Sequence, residues 1–234
     1  MSSAPKIKLY TNHGCPWAHR AHIALLELGL PYEEEIIDLS VPRTQEYLKV
    51  NPRGLVPSLS YDGEVVTESG VVAQFLADAH PSHLLPASGA PGAALRRARV
   101  AFFVDAYFSK ANSHIFRIYS ARSDAEVRAG ADAFVEGVVK EVEPLLADAA
   151  PYFGGSERPT LAEVLTGSFT LRLFSFAMHG ILPEIILDDL EERAPNFYRW
   201  AQAVNETPSV KQIYDEANVV ERTKHRIAGL RAAA

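Results

Sequence analysis

The stretch NHGCPWAHR, residues 12–20, decides the fold of the N-terminal part of this chain. It follows residues 6–10, KIKLY, which predict a strand, and it opens an apolar stripe over residues 16–28 that predicts a helix. Pro16 suits the first helical position, because its missing N–H would be unpaired there. Cys15 is therefore predicted at the N-cap, where free N–H groups and the helix dipole stabilise a thiolate.

Cys15 is the single cysteine of the sequence. A lone cysteine is more often a small buried hydrophobe than a nucleophile, but its position between a strand and a helix, followed by proline, favours a reactive thiol. Position 18 is Ala, so the motif is not a Cys-x-x-Cys pair, and a mixed disulfide at Cys15 must be resolved from outside. His19, one helical turn on, would add positive charge if it were protonated.

Outward from this segment, the first 80 residues alternate short strand and helix patterns. Residues 31–37 predict a second strand, and residues 44–49 a short helix. Residues 58–67 predict a hairpin turning at Asp-Gly, and residues 69–79 another helix. The order β-α-β-α-β-β-α predicts an α/β domain with a mixed sheet flanked by helices.

The composition changes after residue 80, where a stretch rich in proline, glycine and serine predicts a linker. Beyond it, long helical patterns predict an all-α second domain. The third of these helices begins with Thr160-Leu-Ala-Glu163, a capping box whose ordinary role is structural. The predicted organisation is residues 1–80, a linker at 81–93, and an all-helical domain at 94–234.

Two further motifs in the first domain point to a ligand. Val56 precedes Pro57 at a strand entry, where prolines are sometimes cis, and an extended Val56 can pair its backbone with an extended ligand. Ser69 is a natural N-cap whose N–H groups bind a carboxylate, and Glu68 can pair with an ammonium group, so the two suit an α-amino acid. The alternatives are an ordinary proline at a strand start and a capped helix with a surface glutamate.

The bulk composition excludes other functions. The formal net charge is −6, which disfavours nucleic-acid binding, and one cysteine cannot form an intramolecular disulfide. No apolar signal core or run of about 20 apolar residues is present, so we expect no membrane association. The lone thiol fits a reducing compartment, and the expected location is cytoplasmic. No metal is expected.

Taken together, Cys15-Pro-Trp-Ala, Asn51-Pro-x-Gly-x-Val-Pro57 and Glu68-Ser69 resemble the N-terminal half of a cysteine-type glutathione transferase. The pattern is most similar to the omega class and related fungal proteins. The tetrapeptide is also similar to that of the glutathionyl-hydroquinone reductases, which are usually longer chains. The resemblance implies a thioredoxin-like domain followed by an all-helical domain, usually in a homodimer.

The resemblance also implies glutathione as co-substrate and a set of site residues. Cys15 would be the catalytic residue beside the glutathione sulfur, with Val56 against the peptide backbone and Pro57 cis. Arg43, where the omega class usually has lysine, would contact the glycine carboxylate, while the γ-glutamyl end would lie at Glu68 and Ser69. The predicted glutathione-binding set is Trp17, Arg43, Val56, Pro57, Glu68 and Ser69.

Cysteine-type members tend to form mixed disulfides with glutathione and to reduce their substrates. The resemblance therefore implies a thioltransferase acting on glutathionylated disulfides or dehydroascorbate, in a redox or detoxification role. The alternatives are a transferase that conjugates electrophiles and a non-enzymatic glutathione-binding regulator. Tyr10 is interpreted as packing rather than catalytic. The helical domain would line the substrate pocket, and the candidates there are Tyr107, Phe108, Phe116, Phe174 and Met178.

Overall fold

Four short strands form a mixed sheet in the order β2-β1-β3-β4 in the computed structural model, which describes residues 5–232. The strands are β1 Ile7–Thr11, β2 Glu33–Ile36, β3 Ser58–Tyr61 and β4 Glu64–Thr67. β1 runs parallel to β2 and antiparallel to β3, and β3 and β4 form the predicted hairpin. Alternate residues of β1 are buried, as expected for a strand that packs one face on a core.

Three helices flank this sheet: α1 Pro16–Glu27, α2 Gln45–Val50 and α3 Ser69–Ala79. The mixed sheet with flanking helices is the predicted thioredoxin-like architecture. α1 packs on α3 and also on a helix of the second half, so the eight residues from Ala18 to Leu25 are all buried. Three of them are polar, and each must find its partners inside the protein.

The second half is helical, as predicted. Its helices are α4 Ala93–Ala106, α5 Ser113–Tyr119, α6 Asp124–Gly137, α7 Leu161–Met178, α8 Ile185–Arg193, α9 Pro195–Glu206, α10 Pro208–Lys211 and α11 Glu216–Ala232. The helical pattern of residues 209–231 predicts one continuous helix, and this prediction is wrong in detail, because the chain leaves α10 after Lys211 and starts α11 at Glu216. The predicted domain bounds stay a prediction, and residues 1–4 and 233–234 lie outside the described part.

Two π-helical turns interrupt the long helical patterns, at Tyr107–Asn112 and Val138–Val142. The two segments pack on each other. A Cβ on Gly137 would lie 2.2 Å from the Lys110 carbonyl oxygen, so only glycine allows this approach. The first π-turn lies between α4 and α5 and positions Tyr107 and Phe108.

α7 is the central helix of the protein. Its length and composition would allow it to cross a membrane, but 83% of it is buried inside the protein, as in a core helix. Its predicted capping box is present, with the Glu163 carboxylate accepting from the Thr160 N–H at 2.7 Å. Glu163 is fully buried and also accepts from the Phe153 N–H at 2.8 Å and Trp200 Nε1 at 2.7 Å. The cap therefore also ties α7 to α9 and to the turn at Phe153.

Candidate active site

Cys15 lies where β1 has ended and α1 begins. It is the N-cap residue of α1, with Pro16 next, as predicted. Its backbone is extended, at φ −85° and ψ 119°, and its side chain makes no capping hydrogen bond. The thiol is partly buried. The first N–H groups of α1 are therefore not taken by a cap side chain, which leaves the helix dipole to act on a thiolate at this position.

The loop before Cys15 is held by hydrogen bonds from both halves of the protein. The Asn12 amide donates to the Ile37 carbonyl at 2.9 Å, and its oxygen accepts from the Gly14 N–H at 3.0 Å. The Ser168 hydroxyl of α7 donates to the Pro16 carbonyl at 2.8 Å. α7 therefore helps to hold the start of α1.

Cys15 lies in the wall of a cavity of about 480 Å³. The structure brings all seven residues of the predicted catalytic and glutathione-binding set to this one cavity: Cys15, Trp17, Arg43, Val56, Pro57, Glu68 and Ser69. They come from the start of α1, the loop before α2, the loop before β3 and the start of α3. Sequence motifs separated by about 50 residues therefore meet at one edge of the sheet.

The Val56–Pro57 peptide bond is cis, as the resemblance implies. The loop before it is held by Asn51, whose amide donates to the Leu55 carbonyl at 2.9 Å, and by the Tyr47 hydroxyl, which donates to the same carbonyl. Within residues 5–232, the backbone N–H and C=O of Val56 have no hydrogen-bond partner. They are free to pair with an extended ligand in the manner of an added strand.

Glu68 and Ser69 lie together at the start of α3, but their helical positions differ by one from the prediction. Glu68 is the N-cap and Ser69 the first helical residue. Glu68 has φ +69°, a conformation that non-glycine residues rarely adopt and that is commonest at functional sites. Its carboxylate is exposed and pairs with Arg53, while Ser69 is buried. An exchangeable surface ion pair costs little to replace with a ligand ammonium group.

Arg43 is held over the loop by backbone carbonyls. Its guanidinium donates to the Gly54 carbonyl at 3.0 Å and to the Asp38 carbonyl at 2.7 Å. Gly54 has φ +63°, and a Cβ there would lie 3.0 Å from the Arg43 side chain. Glycine at this position therefore serves both the turn and the placement of the guanidinium.

Sequence reasoning missed Arg20, which also lines this cavity. Its Nε donates to the Leu165 carbonyl at 2.7 Å and its Nη1 to the Ser69 hydroxyl at 3.1 Å. The guanidinium carbon lies 4.5 Å from the ring centroids of both Trp17 and Phe108. Burial lowers the pKa of Arg20 to about 9, so it remains charged at pH 7. A buried cation therefore lies behind Ser69. The sequence feature that could have indicated it is a charged residue within the apolar stretch that forms α1.

The expectation that His19 adds positive charge is wrong. His19 is fully buried, and burial, together with the Arg172 guanidinium, holds its pKa well below the usual range. Its Nδ1 accepts a hydrogen bond from Arg172 Nη1 at 3.2 Å. The imidazole is therefore neutral at pH 7, and the buried positive charge near the Cys15 loop belongs to Arg172 of α7.

A second cavity, of about 280 Å³, lies on the other side of Gly14 and Pro16. Of the five predicted pocket residues only Phe116 lines it. Tyr107 is buried in the core, and Phe108 packs on Trp17, with ring centroids 5.5 Å apart. Phe174 pairs with Tyr198 of α9 at 5.5 Å, and Met178 is 64% exposed. The structure does not bring these five residues together, because they face different sides of α7 and of the π-turn.

The aromatic residues that do line the second cavity come from α5 and α7: Phe116, Tyr119, Phe169 and Phe176. α11 closes it with Ile227 and Leu230. Three helices far apart in the sequence thus form one wall beside Cys15. No local sequence signal marks such a set, because each of these residues by itself is indistinguishable from core packing.

A helix-start cysteine and a cis-proline in the wall of one cavity, in a sheet domain followed by helices, are the arrangement of thioredoxin-like proteins. Residues 14–79 match the family described as "Glutathione S-transferase, N-terminal domain". This N-terminal part of the chain therefore carries a glutathione S-transferase N-terminal domain.

Relatives and solved structures match over nearly the whole chain. It is 29% identical to "Probable glutathione S-transferase GSTU1" of Oryza sativa subsp. japonica, over 88% of this chain and 91% of that protein. It is 26% identical to "Glutathione transferase omega-1" of Caenorhabditis elegans, over 90% of this chain and 82% of that protein. The structure of rice GST1 in complex with glutathione superposes with a TM-score of 0.82 at 27% identity, over 97% of this chain and 99% of that one.

Proposed function

We propose that this protein is a glutathione-dependent thioltransferase that forms a mixed disulfide between Cys15 and glutathione. One observation carries the proposal: the only thiol of the sequence lies at a helix start, in the cavity that also holds the cis Val56–Pro57 bond, Glu68 and Ser69. A thiolate in this position is stabilised by the helix dipole and can act as a nucleophile.

The reaction is two thiol–disulfide exchanges. In the first, the Cys15 thiolate attacks the glutathionyl sulfur of a substrate disulfide, the substrate S–S bond breaks, and the substrate leaves as a thiolate that takes up a proton. In the second, the thiolate of another glutathione attacks the glutathionyl sulfur on Cys15 and releases glutathione disulfide. The net change is one substrate disulfide reduced and two glutathione molecules joined.

Glutathione itself would be the co-substrate that the cavity holds. The free backbone of Val56 would pair with its cysteinyl unit, and Glu68 would exchange Arg53 for the γ-glutamyl ammonium group. Ser69, supported by the charge of Arg20, would bind the γ-glutamyl carboxylate, and Arg43 the glycine carboxylate. The small or protein disulfide would approach from the second cavity, across Gly14 and Pro16.

Mass spectrometry tests the mixed disulfide directly. Incubation with oxidised glutathione should add one glutathionyl group to the wild type and none to Cys15→Ser. Turnover of a glutathionylated disulfide should be lost in the variant, because a hydroxyl cannot form the mixed disulfide. Full reductase activity in Cys15→Ser would contradict the proposal.

The second candidate is conjugation of glutathione to electrophiles, which the aromatic second cavity favours because such acceptors are apolar. In that case Cys15→Ser keeps its activity with a chlorinated aromatic acceptor, since a serine hydroxyl can hydrogen-bond the glutathione thiolate. Side-by-side assays of both reactions in both proteins separate the two functions.

We also propose a homodimer in the cytoplasm. Exposed apolar side chains support the dimer: α4 exposes Leu95 and Phe102, seven positions apart on one helix face, and α3 exposes Val71. Light scattering should give twice the monomer mass, and Phe102→Glu should reduce it to the monomer. A monomeric wild type would remove this part of the proposal.

A further inference from the structure

The second cavity joins an apolar lining to buried positive charge. Its aromatic walls are Phe116, Tyr119, Phe169 and Phe176, and its two charged lining residues are Arg172 of α7 and Arg226 of α11. Among the lining residues of the described chain there is no Asp or Glu. The sequence has more acidic than basic residues and a net charge of −6. A cavity whose charged lining residues are all basic therefore departs from the average composition.

Arg172 is 5% exposed and forms no ion pair with Asp or Glu in the described part of the chain, although the Cys15 thiol lies close enough to act on it electrostatically. Its Nη1 donates to His19 and to the Ser168 carbonyl, and its Nη2 makes only long hydrogen bonds, of 3.3 and 3.5 Å, to carbonyls of the Cys15 loop. Its Nε is buried with no hydrogen-bond partner in the described structure. A buried guanidinium with no paired carboxylate and an unused N–H is costly, and a ligand carboxylate would relieve that cost.

Of the groups that face Arg172, only the Cys15 thiol can supply a negative charge, and within the described residues no hydrogen bond joins it to the guanidinium. His19 beside it is neutral, and its aromatic neighbour is Tyr214, whose ring centroid lies 5.0 Å from the guanidinium carbon. Burial raises the pKa of both Tyr214 and Tyr119, so the two phenols stay protonated at pH 7. A guanidinium edge with Nε free and Nη2 weakly used suits a carboxylate, which accepts two parallel hydrogen bonds.

We propose that the second cavity binds aromatic carboxylates, with Arg172 as the residue that selects the negative charge and Arg226 as a weaker second cation. The volume of about 280 Å³ is at the small end of ligand pockets and limits the ligand to one or two rings. The catalytic part of this inference rests on the proposed function, because it names the class of substrate that the Cys15 thiolate attacks. Binding of the aromatic acid does not depend on catalysis and can be measured separately.

In the exchange reaction, the acceptor is a mixed disulfide between glutathione and an aromatic thiol that carries a carboxylate. The Cys15 thiolate attacks the glutathionyl sulfur, the S–S bond breaks, and the aryl thiolate leaves with the electron pair. Arg172 stabilises the carboxylate at the far side of the ring and takes no part in the electron transfer. The mixed disulfide at Cys15 is then resolved by glutathione as above.

The binding test uses the Cys15→Ser protein with 2-naphthoate and the uncharged 2-naphthamide, which have nearly the same shape. We expect naphthoate to bind at least tenfold more tightly by calorimetry, with affinity unchanged by saturating glutathione. Arg172→Gln should bring the two affinities close together, and Arg226→Gln should narrow the difference about twofold. Arg158→Gln is the matched control, since Arg158 is exposed and does not line the cavity.

Equal affinities of the acid and the amide would overturn the inference, and so would displacement of naphthoate by glutathione, which places the acid in the first cavity. If Arg172→Gln does not fold, the test rests on Arg226→Gln. The inference is then overturned if this variant keeps the full preference for naphthoate over naphthamide. Turnover assays distinguish failure of this inference from failure of the proposed function. The inference predicts faster reaction of the 4-mercaptobenzoate–glutathione disulfide than of its benzamide analogue. The proposed function fails if neither disulfide is reduced while naphthoate still binds.

Discussion

The two cavities on either side of the Cys15 loop are built in different ways. The first uses backbone groups, loop residues and helix starts that lie within 55 positions of one another along the chain, from Cys15 to Gly70. The second uses side chains of α5, α7 and α11 together with Gly14 and Pro16 of the Cys15 loop, so its lining spans more than 200 positions, from Gly14 to Leu230. The first is set by local motifs and the second by how helices pack, so the two respond differently to mutation.

The largest effect is expected on chemistry at the boundary of the two cavities. Cys15→Ser should reduce thioltransferase turnover to the uncatalysed background, while glutathione binding in the first cavity is retained because its contacts come from other residues. Calorimetry with glutathione beside the turnover assay checks this. Loss of glutathione binding in the variant would mean that the first cavity depends on the thiol, which would contradict its assembly from the other lining residues.

The second cavity should be sensitive to anything that displaces α7. Glu163→Ala removes a buried carboxylate and leaves the Phe153 N–H and Trp200 Nε1 without a partner, which should cost roughly 3–5 kcal/mol of unfolding free energy. Urea denaturation measures it, with Glu141→Ala as the control on a more exposed glutamate. A loss below about 1 kcal/mol would mean that α7 is anchored by apolar packing alone.

Acid should act on the sheet half through α1. His22 is buried between Thr11 and Tyr32, near Glu34 and His13, and burial lowers its pKa to about 4. Between about pH 6.5 and pH 4, His22 is therefore protonated in the unfolded chain but neutral in the folded one. The free energy of unfolding falls as the pH drops through this range. The loss from this group is roughly 2–3 kcal/mol.

Unfolding free energies at pH 7 and pH 5 measure this dependence. His22→Gln should flatten the slope, whereas His225→Gln, at an exposed position on α11, should leave it unchanged. An unchanged slope in His22→Gln would assign the acid sensitivity to His19, which is held neutral in the same way.

The smallest effect is expected from a single contact in the first cavity. Glu68→Ala should weaken glutathione binding by about 1.5–3 kcal/mol, the scale of a charge-assisted hydrogen bond. Glu64→Ala, at an exposed position of β4 four residues before Glu68, is the matched control. Equal calorimetric affinities of the wild type and Glu68→Ala would remove Glu68 from the binding set.

Much of the fold could be predicted because its signals are local. The strand, Cys-Pro and helix signals placed Cys15 at the N-cap, and the Thr160-x-x-Glu163 box marked the start of α7. The prediction failed where the backbone departs from a regular helix. The π-turns depend on close helix packing, such as Gly137 against Lys110, which no periodic pattern encodes. The break between Lys211 and Glu216 interrupts a pattern that predicts one continuous helix.

The sequence by itself determined the sheet and the order of its elements, because turn, cap and proline signals act within a few residues. The seven residues that meet around the first cavity were named through the resemblance of three short motifs to a known family. Only the tertiary structure decided the charges around that site. It buried His19 and so kept it neutral, and it placed Arg20 behind Ser69 and Arg172 behind the Cys15 loop. Desolvation and distant partners set the charge of a buried group, and both exist only once α1 is packed against α7.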